Sequence, residues 1–135
     1  MPFASRTVIF LNLGLGEAAK RSVGNTLGQI PDMSFFPSFG SENGWTRLPN
    51  NMIFQWGFAS FAGTGSGLDV GILNYYPIPF PNKCLMMVMS HTGYYPQNAG
   101  IISYVGMNNS QFRGYSSVAT VETGPVTGAW IAIGI

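Results

Sequence analysis

The sequence predicts an all-β protein: an antiparallel β-sandwich preceded by an extended arm. Three observations carry that reading. From about Ser41 the chain breaks into short apolar segments bounded by Gly, Pro or Asn. They recur at roughly 10–15 residues, a spacing that suits antiparallel sandwiches. No helical period of apolar residues runs through that region. The chain also finishes on Ala129–Ile135, AWIAIGI, apolar to the last residue. Termini fray in water unless tied down, so this strand is expected to be buried against its own core or another copy.

In chain order, residues 1–40 form the arm and residues 41–135 the sandwich. The opening MPFASRTVIFLNLGLG faintly mimics a leader peptide but lacks a small-x-small cleavage site before Glu17. Glu17 to Val23 reads as one short helix stopped by Gly24, too short to hold alone in water. GNTLGQIPDMSFFPSFGS follows as an extended stretch, whose Ile30, Met33, Phe35, Phe36 and Phe39 need a surface to lie on. Asn43–Gly57, NGWTRLPNNMIFQWG, reads as a half-buried strand with a Trp anchor. Strand candidates are Met52–Gly57, Gly67–Leu73, Lys83–Ser90, Ile101–Met107, Gln111–Tyr115, Val118–Glu122 and Ala129–Ile135, all enriched in Val, Ile and aromatics. Pro77, Pro79 and Pro81 cannot donate ladder hydrogen bonds, which makes YYPIPFPNK an edge or an entry loop.

Only 8% of the 135 residues are charged, against about 25% in an average protein. Seven of those charges fall in the first 47 residues. A monomer keeps itself soluble with a charged surface, so the neutral region is expected to hide surface in an obligate homo-oligomer. A net charge of +1 without a basic run argues against nucleic acid and against anionic membranes. No apolar run approaches the ~18 residues of a spanning helix, so no membrane insertion is expected. The single Cys84, within KCLMMVM, excludes an intrachain disulfide framework and reads as a small buried hydrophobe.

NGWTRLPNNMIFQWG, then PIPFPNKCL, then the closing AWIAIGI resemble the C-terminal tip domain of tailed-bacteriophage and prophage tail fibres. The matching positions are Gly44, Trp45, Arg47, Leu48, Pro49, Ile53, Gln55, Trp56 and Gly57, then Phe80 and Pro81, then Trp130 to Gly134. NLGLGEAAKRSVGNTLGQIPDMSFF resembles the connector upstream of such tips. The resemblance covers about residues 12–135, with three separated motifs in the right order. It implies a β-rich homotrimeric tip on the virion that contacts the bacterial surface, commonly its lipopolysaccharide. The protein would be made in the host cytoplasm and joined to the remainder of a longer fibre. GFASFAGTGSGLDVGILNYY and HTGYYPQNAG fall outside the pattern, which leaves receptor specificity open.

Sugars are recognised by flat aromatic faces together with planar polar groups that bond hydroxyls. His91, Tyr94, Tyr95, Gln97 and Asn98 supply both in a turn-rich stretch, and loops on rigid scaffolds often carry function. Asn108, Asn109, Gln111 and Arg113 form a second candidate cluster on an expected hairpin turn. Tyr75 and Tyr76 read as alternating core and surface positions, and Trp45, Trp56 and Trp130 as core or interface anchors. Three copies of His91 about a threefold axis are a conceivable metal site, but a lone His is more often a plain loop residue. No metal or cofactor is expected. Asp69 and Glu122 are the domain's carboxylates after Arg47, and nothing pairs them at the ~5–9.5 Å that glycoside cleavage requires. Gly14 and Gly16 lack the preceding strand and third glycine of a dinucleotide site. The chain is read as a non-enzymatic glycan-binding fibre tip. The alternatives are a purely structural trimerisation or capping module, and a tip-borne glycan hydrolase.

Overall fold

The computed structural model describes residues 13–63, 71–105, 107–119 and 124–135. Its strands are β1 (Ser38–Phe39), β2 (Gly44–Arg47), β3 (Ile53–Phe61), β4 (Ile72–Tyr75), β5 (Cys84–His91), β6 (Ile102–Val105), β7 (Gln111–Ser116) and β8 (Val126–Gly134). A single helical turn, α1 (Pro96–Ala99), lies between β5 and β6. Among the described residues all pairings between strands are antiparallel, in a five-stranded sheet ordered β1-β2-β3-β8-β5 and a three-stranded sheet ordered β4-β7-β6. The all-β, antiparallel reading of the sequence holds.

Alternation places the core. In β3 and β8 every second residue is buried, as a strand's period of two requires when one face meets another sheet. The two pair along their whole length, Ile53 opposite Gly134 and Phe61 opposite Val126. Phe112 of β7 closes the core from the second sheet, with Tyr76 and Phe80 from the segment after β4. The Tyr76 ring sits 5.0 Å from Phe80, 5.5 Å from Phe112 and 5.7 Å from Trp130, mostly edge to face, an arrangement favoured by ring quadrupoles. Burial pushes its phenol far above the usual range, and the neighbouring Cys84 thiol adds to the rise.

Three side-chain amides finish what the ladders leave open. Beyond β2 the edge of β3 would be bare, and there Asn43 Oδ1 accepts from Phe58 N at 2.8 Å. Asn74 accepts from Ser60 N at 3.0 Å and donates to Ser60 O at 2.9 Å, tying β4 to β3. Gln55, fully buried, donates to Ile78 O at 2.8 Å and accepts from Ile78 N at 3.0 Å. That pair holds Pro77–Pro81, whose prolines have no N–H to offer. Gln55 and Trp130 are therefore framework, as is Trp56, whose Nε1 donates to Ser41 O at 3.0 Å.

Several expectations are corrected. Asn43–Gly57 is a hairpin, β2 and β3, rather than one strand: Pro49 and Asn50 interrupt it, and Asn51 turns the chain at φ 66°. Only Glu17–Lys20 of the expected 17–23 helix is helical, as a 3₁₀ turn, after which Val23 bridges Ile30. Val118 and Ala119 are not in a strand, and the rest of Val118–Glu122 lies outside the described residues. Residues 67–70 of the Gly67–Leu73 candidate, with Asp69, also lie outside them. Between residues 13 and 43, Gly24 alone is buried. The arm is held by its own polar bonds, among them Lys20 to Glu17 at 2.8 Å and Ser34 N to Asp32 Oδ1 at 2.8 Å.

Candidate functional site

At the end of the sandwich where β5 and β7 finish, the chain builds a cleft of about 450 Å³. Its lining is Tyr94, Gln97 and Asn98 on one wall, facing Val118, Ala119, Gly124, Pro125 and Val126. The volume lies within the usual range for small-molecule sites, about 300–1,000 Å³. None of these side chains carries a formal charge.

The first wall is local in origin. β5 ends as Thr92 N donates to Thr127 O at 3.0 Å, and Gly93 reverses the chain at φ 75°. Pro96 opens α1 at a position where its missing N–H costs nothing. Tyr95 O accepts from Asn98 N at 2.9 Å and Ala99 N at 3.1 Å. Gly100 ends the turn at φ 66°, and a Cβ there would collide with Ser117 Oγ and lie 2.8 Å from Val118 Cγ2. Glycine is thus required twice over.

The opposite wall is fastened to the first by Ser116, which is 1% exposed. Its hydroxyl donates to Ala99 O at 2.8 Å and accepts from Ala119 N at 3.0 Å and Val118 N at 3.3 Å. Ala119 O in turn accepts from Gly63 N at 2.7 Å, anchoring this wall to the end of β3. Ser116 is a positioning residue that sequence reasoning missed. So are the lining residues Val118, Ala119, Gly124, Pro125 and Val126, which reach the cleft only through tertiary contacts. The Gly-Pro pair at 124–125 is a turn signal in the sequence, but it names no neighbour.

The sequence-predicted residues divide. Tyr94, Gln97 and Asn98 line the cleft, and Tyr94 is 40% exposed. Tyr95 stands beside them, 73% exposed and outside the lining. His91 is half-buried, its Nδ1 buried without a hydrogen-bond partner among the described residues, and it too is outside the lining. The second cluster is not brought to this site. Asn108 and Gln111 lie at the other end of β7, about 17 Å away at roughly 3.4 Å per residue. Asn108 Oδ1 accepts from Ser110 N at 2.8 Å and Gln111 N at 2.9 Å, so it shapes its own turn. Asn109 is exposed, and its backbone oxygen holds Phe80 N at 2.7 Å. Arg113 points along the outer face of the small sheet and donates to Gly71 O at 3.2 Å. Tyr76 is core and Tyr75 is exposed. Among the described residues no group of three or more His, Cys, Asp or Glu gathers.

The fold has clear structural relatives. A C-terminal portion of the P. aeruginosa R2 pyocin fibre is similar over 98% of this chain and 30% of its own length, with a TM-score of 0.57 and 18% identity. An N-truncated R2-type pyocin tail fibre matches with the same TM-score over 44% of its length. An N-truncated R1-type fibre matches over all of both chains, at 0.52 and 19% identity. The chain thus spans less than half the length of the first two. No curated protein sequence matches it. The family model for the C-terminal region of gp53-like tail fibre proteins matches residues 47–135, which take in β3 to β8 and the whole cleft. The chain belongs to the Gp53-like C-terminal family of tail fibre proteins.

Proposed function

We propose that this domain is the receptor-binding end of a phage or prophage tail fibre. In this reading it works as a homotrimer on the virion, after synthesis in the host cytoplasm, and binds host surface carbohydrate, foremost lipopolysaccharide, without cleaving it. The observation that carries the reading is the neutral cleft: an aromatic ring and two planar amides on one wall face an apolar wall of Val118, Pro125 and Val126. A sugar has the matching pair of surfaces, an apolar ring face and a rim of hydroxyls. Tyr94 is placed to stack, while Gln97 and Asn98 both donate and accept. Their side chains make no hydrogen bond to other described residues, so both amides are available to hydroxyls.

Single-site affinity is expected to be weak, since a small open cleft leaves little surplus after ordering costs. Three chains per fibre and several fibres per particle restore avidity through effective concentration. The test is adsorption of the purified domain to a panel of bacterial lipopolysaccharides. At least one should bind, Tyr94→Ala and Gln97→Ala should weaken it with the assembly intact, and raising salt from about 0.05 to 0.5 M should change little. No binding by an intact trimer to lipopolysaccharides or whole cells would leave a structural capping module. Release of reducing sugar would establish a hydrolase.

A further inference from the structure

The two outer faces of the sandwich differ in kind. On the three-stranded sheet the outward positions hold Leu73, Tyr75, Ser103, Val105, Gln111, Arg113 and Tyr115, a mixed polar surface. On the five-stranded sheet the register lines up Phe54, Trp56 and Phe58 of β3 with Ile133, Ile131 and Ala129 of β8. Met86 and Val88 of β5 continue those rows. No charge interrupts them. Ile131 is 54% exposed, Met86 53% and Val88 60%. A groove of about 230 Å³ opens between β5 and β8 on this side, bordered by Val88, Ala129 and Ile131. Among the described residues no strand pairs with the outer edge of β5, and an apolar strand with a bare edge is a template for another chain.

We propose that the β8–β5 part of this face is a self-association surface, and that its occupant is the arm side of a second copy of the chain. The proposal rests on the homotrimer reading and adds the surface that makes it. Strand order supplies the geometry: β5 forms one edge of the sheet, and β1, where the arm enters, forms the other. The arm is a second uncovered apolar surface, with Val23, Leu27, Met33 and Phe39 all more than half exposed. Joining one copy's arm edge to the next copy's β5 edge is a head-to-tail contact, the kind that closes into a ring.

Size points the same way. The patch runs about 17 Å along the strands and about 10 Å across β3, β8 and β5. That flat footprint, roughly 170 Å², is of a size a monomer can expose and falls well short of the ~800 Å² per partner in a standard interface. The arm adds the missing area. The cleft at Tyr94, Gln97 and Asn98 shares no residue with this surface, so assembly and binding can proceed together.

Methionine oxidation of the wild-type chain tests the proposal, because oxidation follows exposure. Met86 and Met33 are both open in a single copy. In the assembled protein both should oxidise several-fold more slowly than an exposed methionine, approaching buried Met87. Val88→Asp, at a position already mostly exposed, should convert the assembly to folded monomers. A trimer with freely oxidised Met86, or one unaffected by Val88→Asp, overturns this surface while leaving the trimer reading standing. A wild-type chain that sediments as a monomer overturns both. Protection of Met86 seen only after adding phosphatidylcholine vesicles or another protein gives the face to a different occupant. If Val88→Asp fails to fold, the wild-type oxidation pattern decides.

Discussion

At one end of the sandwich Asn108 Oδ1 takes hydrogen bonds from the Ser110 and Gln111 amides, and Asn109 O holds Phe80. At the other end Gln97 and Asn98 sit on a helical turn secured by backbone groups and by Ser116, so among the described residues their side-chain amides stay free. The two stretches look alike in sequence, both rich in Asn and Gln among turn residues. They differ in what else satisfies the local backbone. Where a loop builds itself from its side-chain amides, little is left for a ligand. Where glycine, proline and a buried serine set the shape, the amides remain available.

That contrast can be broken most severely at the Asn108 end. Gln55→Ala removes both bonds to Ile78 and strands two buried backbone groups, an expected loss of about 2–4 kcal/mol. The melting midpoint should fall on the order of 10–20 °C, while any lipopolysaccharide binding of the folded fraction persists. Calorimetry read beside adsorption checks both halves.

Ser116→Ala comes next. It leaves Ala99 O, Val118 N and Ala119 N without their shared partner, at an expected cost of about 1–3 kcal/mol. Here binding should fall together with stability, because the two cleft walls separate. Unchanged adsorption would show that the walls hold their positions without it.

A paired substitution sharpens the difference between the ends. Asn108→Ala should lower stability by about 1 kcal/mol through loss of its turn bonds and leave adsorption intact. Asn98→Ala should do the reverse, staying within about 0.5 kcal/mol of wild type while weakening adsorption. Equal behaviour of the two variants in both assays would erase the distinction.

The smallest effect belongs to the arm. The Ser34 hydroxyl and amide hold the Asp32 carboxyl below its ordinary range. A depressed folded-state pKa contributes stability above the unfolded value and loses it as pH falls through the folded one. Lowering pH through about 4 and below should therefore fray residues 32–35 first, seen as faster amide exchange there, with the sandwich unaffected.

The sequence by itself determined much of this protein. Strand alternation, turn residues and the late Trp130 strand were legible because a period of two and a left-handed turn are local properties, set by neighbouring residues along the chain. The three family motifs were legible as well, and the structure explains their chemistry: Gln55 clasps Ile78, Trp56 reaches Ser41, and Trp130 packs on Tyr76 and Phe112. The break of Asn43–Gly57 into a hairpin was written in Pro49, Asn50 and Asn51 but lay hidden under an apolar pattern that continues on both sides. Tertiary structure alone decided which amides are free, that Ser116 joins Ala99 to Ala119, and that β5 lies beside β8 to make an uncharged outer face. Each of these depends on groups far apart in the chain meeting at hydrogen-bond or van der Waals distance. Local sequence fixes which way a side chain alternates, but only the packed sheets fix what it meets.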